Sequence, residues 1–599
     1  MREYSTPALV QIPDSANLTD IVFKRAADEP DAVALRRKDG DGWRDVTTAE
    51  FRADVVATAK GLIAAGIGPG DRVALMSATR YEWTQVDYAI LAVGAICVPI
   101  YETSSAEQVA WILSDSGARG VVVETPAHEA MVTGATDKAE GLSHIWQLDA
   151  GGLDELAAAG AGVLDAEIDK RRESRGTADV ATIIYTSGTT GRPKGCALTH
   201  RNLLADTRNA VAGALTEVFE MSGGSSLLFL PLAHSFARII QLGCLESSTV
   251  LGHTPRIADL RPDLASFRPT FILAVPRVFE KVYNAAAAQA AESPVKARIF
   301  KFAVDTAVAY SKALDSGGAG MRLRLRHSLA DRLVYGKLRA AVGGQVRYAA
   351  SGGAALGERL GHFFRGVGIT ILEGYGMTET SAAATVNRPG RNKIGTVGLP
   401  LPSVAVRIAD DGEILLRGPN VFAGYWHNDA ATAEIMADGG WIRTGDVGDL
   451  DDEGFLRVTG RKKELIVTAA GKNVAPAVLE DRIRAHPLIS QCMVVGDGRP
   501  YVACLLTLDD EALDRWKEQH GRPADATAET LKDDPELLAE IQSAIDDANK
   551  AVSRAESIRR FRILGTDFTE GGGHLTPTLK VRRAKVAKDF GADIDALYS

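Results

Sequence analysis

Apolar side chains recur at helical spacing through residues 50–66 (EFRADVVATAKGLIAAG), and Gly68-Pro69-Gly70 then ends the periodicity. DRVALMSA (71–78) reads as a strand, residues 81–95 as a helix and CVPIY as a second strand. A further helix over 105–116 and the strand GVVVE continue the alternation. Helices alternating with short, Val/Ile-rich strands predict a mostly parallel sheet covered on both faces. Between Glu280 and Gly343 the pattern turns helical, with Phe300, Val304, Ala307, Val308 and Ser311 on one face. Leu325, Leu329 and Leu333 share another, beyond the break SGGAG at 316–320. A strand-like FLRVTG (455–460) runs into the basic triplet Arg461-Lys462-Lys463. After it VLEDRIRAH reads as a helix, while SQCMVVGD and YVACLLTLD read as a hairpin about Gly498-Arg499-Pro500. The expected fold class is α/β. A large N-terminal domain (1–460) has mostly parallel sheets flanked by helices, and a small α+β C-terminal domain (464–599) follows the triplet at 461–463.

Composition fits that division. A chain of 599 residues is too long for one ordinary core. Hydrophobic residues at 46% and charged residues at 24% are the balance of a soluble globular enzyme. A net charge of -9, with both signs spread along the chain, argues against a nucleic-acid partner. Five scattered cysteines, without a C-x-x-C pair or Cys/His metal spacing, predict reduced thiols and no zinc site. The amino terminus lacks the charged start and apolar run of a signal peptide. The most apolar stretch, Tyr88 to Ile100, falls short of the ~20 residues a spanning helix needs and contains Pro99. These features predict a cytoplasmic protein without a transmembrane segment. Peripheral attachment to the inner face of the membrane stays open, as does a homodimer.

The strongest chemical signal is ATIIYTSGTTGRPKG (181–195). A β-type run feeds a loop of Thr186, Ser187, Gly188, Thr189, Thr190 and Gly191, and Lys194 follows. Small residues let backbone N–H groups approach a polyphosphate, hydroxyls add hydrogen bonds and the lysine adds charge. The bland alternative is a flexible Gly/Ser/Thr loop. A Walker A loop requires G-x-x-x-x-G-K-[ST]; here proline precedes Lys194 and glycine follows it, so that spacing fails.

With YGMTET (375–380), GWIRTGDVG (440–448), GRKKELIVTAAGKNVAP (460–476) and TPTLK (576–580) in order, the chain resembles the adenylate-forming superfamily of acyl-CoA synthetases, nonribosomal adenylation domains and luciferases. The resemblance implies binding of ATP with Mg²⁺ and coenzyme A as cosubstrate. It gives the loop residues and Lys194 to the phosphates, Thr378 to the α-phosphate, and Glu379, with Thr186, to Mg²⁺. A hydroxyl beside a hard carboxylate suits those two tasks. Tyr375 lies along adenine in this scheme, with a packed core tyrosine as the alternative. Gly353, in YAASGGAALG (348–357), is one of the small residues whose backbone lines adenine and the acyl pocket. Asp446 is matched to the ribose-binding aspartate, with Arg461 as its companion. Lys580 is matched to the adenylation lysine, although Leu579 stands where many relatives have glycine. A generic basic tail is its alternative, because Arg582 and Arg583 follow. The resemblance also makes the C-terminal domain mobile about the hinge at 461–463, with Gly471 of the Gly471-Lys472-Asn473 loop lining a passage for the pantetheine thiol. A calcium loop over Asp449, Asp451 and Glu453 is rejected, since Gly460 stands where an EF-hand needs its bidentate glutamate.

For the acid, LPLAHSFAR (230–238) resembles a long-chain motif that sets His234 at a gate beside the acyl pocket; a core histidine is the alternative. The interval from Arg277 of VPRVFEKVYN to Ser351 is longer than in short-chain and aromatic-acid relatives, and resembles bacterial long-chain enzymes. The expectation is a long-chain fatty acid–CoA ligase of bacterial type, taking fatty acid, ATP and CoA. An acyl-AMP ligase that delivers to a carrier protein is the nearest alternative. A non-catalytic acyl-binding relative predicts lost chemical positions, yet Lys194, Thr378, Glu379, Asp446, Arg461 and Lys580 are all present.

Overall fold

The computed structural model describes residues 1–599 apart from 187–191, 470 and 577–579. Among the described residues, one seven-stranded sheet runs Gly424–Tyr425, Lys194–Thr199, Val180–Thr186, Ile96–Ile100, Arg72–Met76, Ala118–Val123 and His144–Gln147. Its strands from Val180–Thr186 to His144–Gln147 are parallel, and the two at the other end are antiparallel. All five residues of Ile96–Ile100 are buried, as a parallel strand covered on both faces requires. Helices follow the spacing read from the sequence: Thr48–Ala64, Tyr81–Ala92 and Ala106–Ser116. A Thr47/Glu50 capping box opens the first, and a Ser105/Gln108 box opens the third.

A nine-stranded sheet carries the parallel strands Val33–Asp39, Val250–His253, Ser225–Leu228, Phe271–Ala274, Tyr348–Ser351 and Thr370–Tyr375, with antiparallel strands at both ends. The third sheet, six-stranded, departs from the sequence pattern: all its pairs are antiparallel. It joins Glu3–Ser5 to Ala405–Ile408 across some four hundred residues of chain, a pairing that local periodicity cannot encode.

The helical stretch after Glu280 divides into Pro276–Ala291, Pro294–Asp315 and Met321–Ala330. Ala307 and Ser311 are buried and Val304 and Val308 pack beside the core, as the spacing predicts. Leu325, Leu329 and Leu333 do share a face, but it is exposed: 67%, 52% and 42% of each residue's surface is open.

Residues beyond the basic triplet build their own core. Ile489–Val495 and Val502–Leu508 form the expected hairpin, Ile558–Ile563 adds a parallel strand, and helices Pro476–Arg484 and Pro535–Asn549 cover it. The chain thus has a large α/β unit and a smaller C-terminal one. They touch through the Thr103 hydroxyl, which donates to Glu570 at 2.6 Å, and through an Arg277–Asp509 ion pair at 3.6 Å. All five cysteines are buried and unbonded.

Candidate active site

Four of the sequence motifs converge because each follows the carboxyl end of a strand that belongs to a mostly parallel sheet. Thr186 ends Val180–Thr186, the LPLAHSF segment follows Ser225–Leu228, Gly352 and Gly353 follow Tyr348–Ser351, and Tyr375 ends Thr370–Tyr375. Clefts outside the carboxyl ends of strands are where open α/β sheets take ligands. Here they line one cavity of about 1470 Å³, above the ~300–1,000 Å³ of an ordinary small-molecule pocket.

At one end the hairpin register sets Thr186 opposite Lys194. The ammonium of Lys194 lies 4.9 Å from the ring centre of Tyr425, whose hydroxyl donates to Glu379 Oε1 at 2.6 Å. Tyr425 gets there by strand pairing with Cys196. Thr378 and Glu379 are buried in a single 3₁₀ turn, Thr378–Thr380. That turn is clamped: Gly376 leaves no room for a side chain, since a Cβ there would stand 1.9 Å from the Ala382 oxygen. Ser381 (φ +63°) and Ala382 (φ +131°) hold backbone angles that favour glycine, so the bend after Glu379 is strained and kept by its neighbours. Asn420 supplies part of that hold, donating to the Ala383 carbonyl at 3.2 Å and accepting the Ser381 hydroxyl on its own carbonyl at 2.9 Å.

Burial, with the Glu379 charge adding to it, pushes the Cys196 thiol pKa well up, so it stays neutral. Among the described residues no group of three or more His, Cys, Asp or Glu could cage a metal. One carboxylate and one hydroxyl, with phosphates to complete the shell, is a donor set that suits Mg²⁺.

At the other end Asp446, on the long strand Trp441–Leu450, pairs in register with Arg461 on Leu456–Arg461. Arg461 Nε stands 3.3 Å from Asp446 Oδ1, and the Tyr375 hydroxyl donates to Oδ2 at 2.7 Å. Burial raises the Asp446 pKa, opposed by Arg461, Tyr375 and Lys580. Burial and the Asp446 charge push the Tyr375 phenol well up, so it remains a donor.

Lys580 lines the same cavity from the C-terminal domain, close enough for its charge to act on Asp446, Arg461 and His234. Water reaches its side chain, yet the cleft walls enclose it. That desolvation, with the like charge of Arg461, lowers its pKa; Asp446 and Glu464 pull the other way. Its amide donates to the Thr576 hydroxyl at 3.1 Å. His234 caps the helix Ser235–Glu246, its Nδ1 accepting from the Phe236 amide at 3.1 Å. Burial and Lys580 lower its pKa to about 4, so the ring is neutral at pH 7, with the proton on Nε2. The helix it caps is anchored by Arg238, fully buried and paired with Asp87.

Gly353 (φ +82°) lines the cavity. Gly471 does not: it sits in an exposed turn between Ile466–Val467 and Asn473–Val474, outside the cleft. Ser187, Gly188, Thr189 and Thr190 lie outside the described residues. Sequence reasoning missed Tyr425, Arg238, Asp87 and the cavity-lining Asp206, all placed by contacts between distant segments.

Comparison with known proteins follows the same outline. The AMP-binding enzyme family model matches residues 22–426, and the AMP-binding enzyme C-terminal domain model matches 463–599. The long-chain-fatty-acid--CoA ligases FadD15 of Mycobacterium bovis and Mycobacterium tuberculosis are each 52% identical over 602 residues, covering 100% of both chains. Among solved structures, the adenylation domain of a carboxylate reductase from Mycobacterium chelonae superposes with a TM-score of 0.74 at 21% identity, covering 98% of this chain and 92% of that one.

Proposed function

The chain belongs to the AMP-binding enzyme family, and from that premise we propose that it is a long-chain fatty acid–CoA ligase (AMP-forming). A fatty acid carboxylate attacks the α-phosphorus of ATP, forming acyl-AMP and releasing pyrophosphate. The thiol of coenzyme A then attacks the acyl carbonyl, giving acyl-CoA and AMP. The observation that carries this assignment is Lys580, brought by one domain into the cavity that Asp446, Arg461 and His234 line in the other. The ligase names of the mycobacterial relatives, matched end to end, supply the long-chain acid and the CoA acceptor.

In this scheme Lys580 bridges the attacking carboxylate and the α-phosphate, offsetting charge as it builds. Lys194 and the loop after Thr186 hold the departing phosphates, and Thr378 donates to the α-phosphate. Asp446 receives the ribose hydroxyls, kept in place by Arg461 and Tyr375. Glu379 and Thr186 hold Mg²⁺, which when bound supplies positive charge to the phosphates. Neutral His234 stays out of proton transfer at pH 7 and stands at the acyl entrance.

The same scheme places the pivot at 461–463. Arg461 is tied to Asp446, and Lys462 to Asp411 and Glu413 at 2.5 and 3.2 Å, all in the large domain. Glu464 is tied to Arg583 of the small one at 3.5 Å. Lys463, between them, joins no ion pair among the described residues, so the chain changes sides there. Rotation about it withdraws Lys580 and carries the Gly471 loop to the cleft for the thiol step, one cavity serving both reactions.

AMP release from a panel of fatty acids, with and without CoA and with hydroxylamine to trap acyl-AMP, tests the assignment. Release that CoA leaves unchanged assigns the product to a carrier protein instead. The lowered Lys580 pKa adds a pH signature. As pH rises the ammonium is lost earlier than for a free lysine, so the acyl-AMP rate declines below pH 10.5. Lys580→Arg, which keeps its charge, is expected to move that alkaline limb up; an unmoved limb assigns it to another group.

We also propose peripheral contact with a membrane. No helix among the described residues is long and apolar enough to cross one. Met321 (80% exposed), Leu325, Leu329 and Leu333 instead form an open apolar stripe, and Arg322, Arg324 and Arg332 beside it join no ion pair among the described residues. Apolar side chains with flanking arginines suit an anionic interface, each arginine adding about 1 kcal/mol near the surface. Flotation with vesicles of anionic and of neutral lipid should show salt-sensitive binding to the anionic ones. Leu325→Glu/Leu329→Glu should abolish it, and equal binding by that variant removes the helix from the account.

A further inference from the structure

The cavity holds a carboxyl group that the ligase chemistry does not use. Asp206 lies in the helix His200–Asn209, and a π-helical turn, Ala210–Ala214, follows at once. Such turns widen a helix locally and recur at functional sites. Asp206 is 3% exposed and Thr207 1%, and both line the cavity. Ala210, Leu215, Phe219, Ile239 and Ile240 line the same cavity.

Neither group is satisfied by the protein. Asp206 Oδ2 accepts one long bond, 3.4 Å, from the Ala383 amide, while Asp206 Oδ1 and Thr207 Oγ1 have no partner among the described residues. Among the described residues no cation offsets the burial, which pushes the carboxyl pKa well up and favours its neutral form. An apolar pair of the same size would suit a plain hydrocarbon wall better, because buried polar groups are costly unless hydrogen-bonded. Their partner must therefore come from what enters the cavity. A neutral carboxyl and a threonine hydroxyl each donate and accept. The complementary group does both as well, which describes a hydroxyl; an oxo group only accepts, and a methylene does neither.

We infer that Asp206 and Thr207 form a polar subsite that recognises a hydroxyl on the chain of the acid, so that a hydroxylated long-chain fatty acid is a better substrate than the plain one. The inference rests on the ligase assignment and refines its substrate class. The test is a set of positional isomers: long-chain acids of one length carrying a single hydroxyl at successive carbons, their oxo counterparts and the unsubstituted acid, each assayed by AMP release in the presence of CoA. One hydroxyl position should raise kcat/KM about tenfold over the other isomers and over the plain acid, with the oxo acid at that position between them. Asp206→Leu should erase the preference and favour the plain acid, Thr207→Val should reduce it, and Asp206→Asn, which still donates and accepts, should keep most of it. A flat response across the isomers overturns the subsite, water then being the occupant. Equal losses on every acid in both Asp206→Leu and Thr207→Val also overturn it, marking a structural role. Absence of AMP release with every acid, the plain one included, would refute the ligase assignment and is thereby distinguished.

Discussion

Lys580→Ala is expected to slow acyl-AMP formation by about 10²–10³-fold, the usual cost of removing one charged donor from a developing oxyanion. Thioester formation from supplied acyl-AMP should be nearly untouched. The split follows from where the lysine sits. It comes from the small domain and enters a cavity that Asp446, Tyr375, Thr378 and Lys194 line from the large one. A compact ammonium can arrive for the first reaction and leave for the second without disturbing the groups that hold the nucleotide. Single-turnover pyrophosphate release measures the first step, and acyl-CoA appearance from acyl-AMP measures the second. Equal losses in both would mean that Lys580 does not leave between the steps, and the pivot at Lys463 would have no function to explain.

The second large effect concerns stability rather than rate. Arg238 and Asp87 are both fully buried, and Arg238 also donates to the Thr182 hydroxyl at 2.6 Å, on the strand that leads to Thr186. Burial pulls the guanidinium pKa down, but Asp87 outweighs it and raises it, keeping the charge. Arg238→Met strands a buried carboxylate and should cost about 3–5 kcal/mol, read as a lower urea midpoint for the large domain. Arg238→Met combined with Asp87→Leu should recover much of that, because the uncompensated charge is gone. A double variant as unstable as the sum of the single ones would show that the pair does not act as a unit. Because Arg238 lies four residues after His234 on the helix that His234 caps, the single variant should also loosen the acyl entrance and raise KM for the acid.

These two cases mark where local sequence is informative. Lys580 is legible because TPTLK keeps its place in an ordered set of motifs, and an ordered set is hard to mimic. Arg238 also stands in a motif, LPLAHSFAR, but its partner lies far earlier in the chain, in a helix whose periodicity only says that it is buried. Nothing in the spacing of Asp87 distinguishes an ion pair from an ordinary surface acid. Tyr425 is the same kind of case at the phosphate end: a short strand paired with Cys196 delivers its hydroxyl to Glu379.

The sequence by itself determined the α/β alternation, the hairpin of the small domain and the motifs at the strand ends, since each is written in periods of two or 3.6 residues or in side-chain chemistry at fixed local spacing. It also placed Leu325, Leu329 and Leu333 on one face. Only the tertiary structure decided that this face looks outward, because a stripe is apolar whether or not another element covers it. The antiparallel third sheet, the Asp446–Arg461–Lys580 grouping and the buried Asp206 were likewise decided by packing. Each depends on segments far apart in the chain coming together, and periodicity within one segment carries no information about its partner.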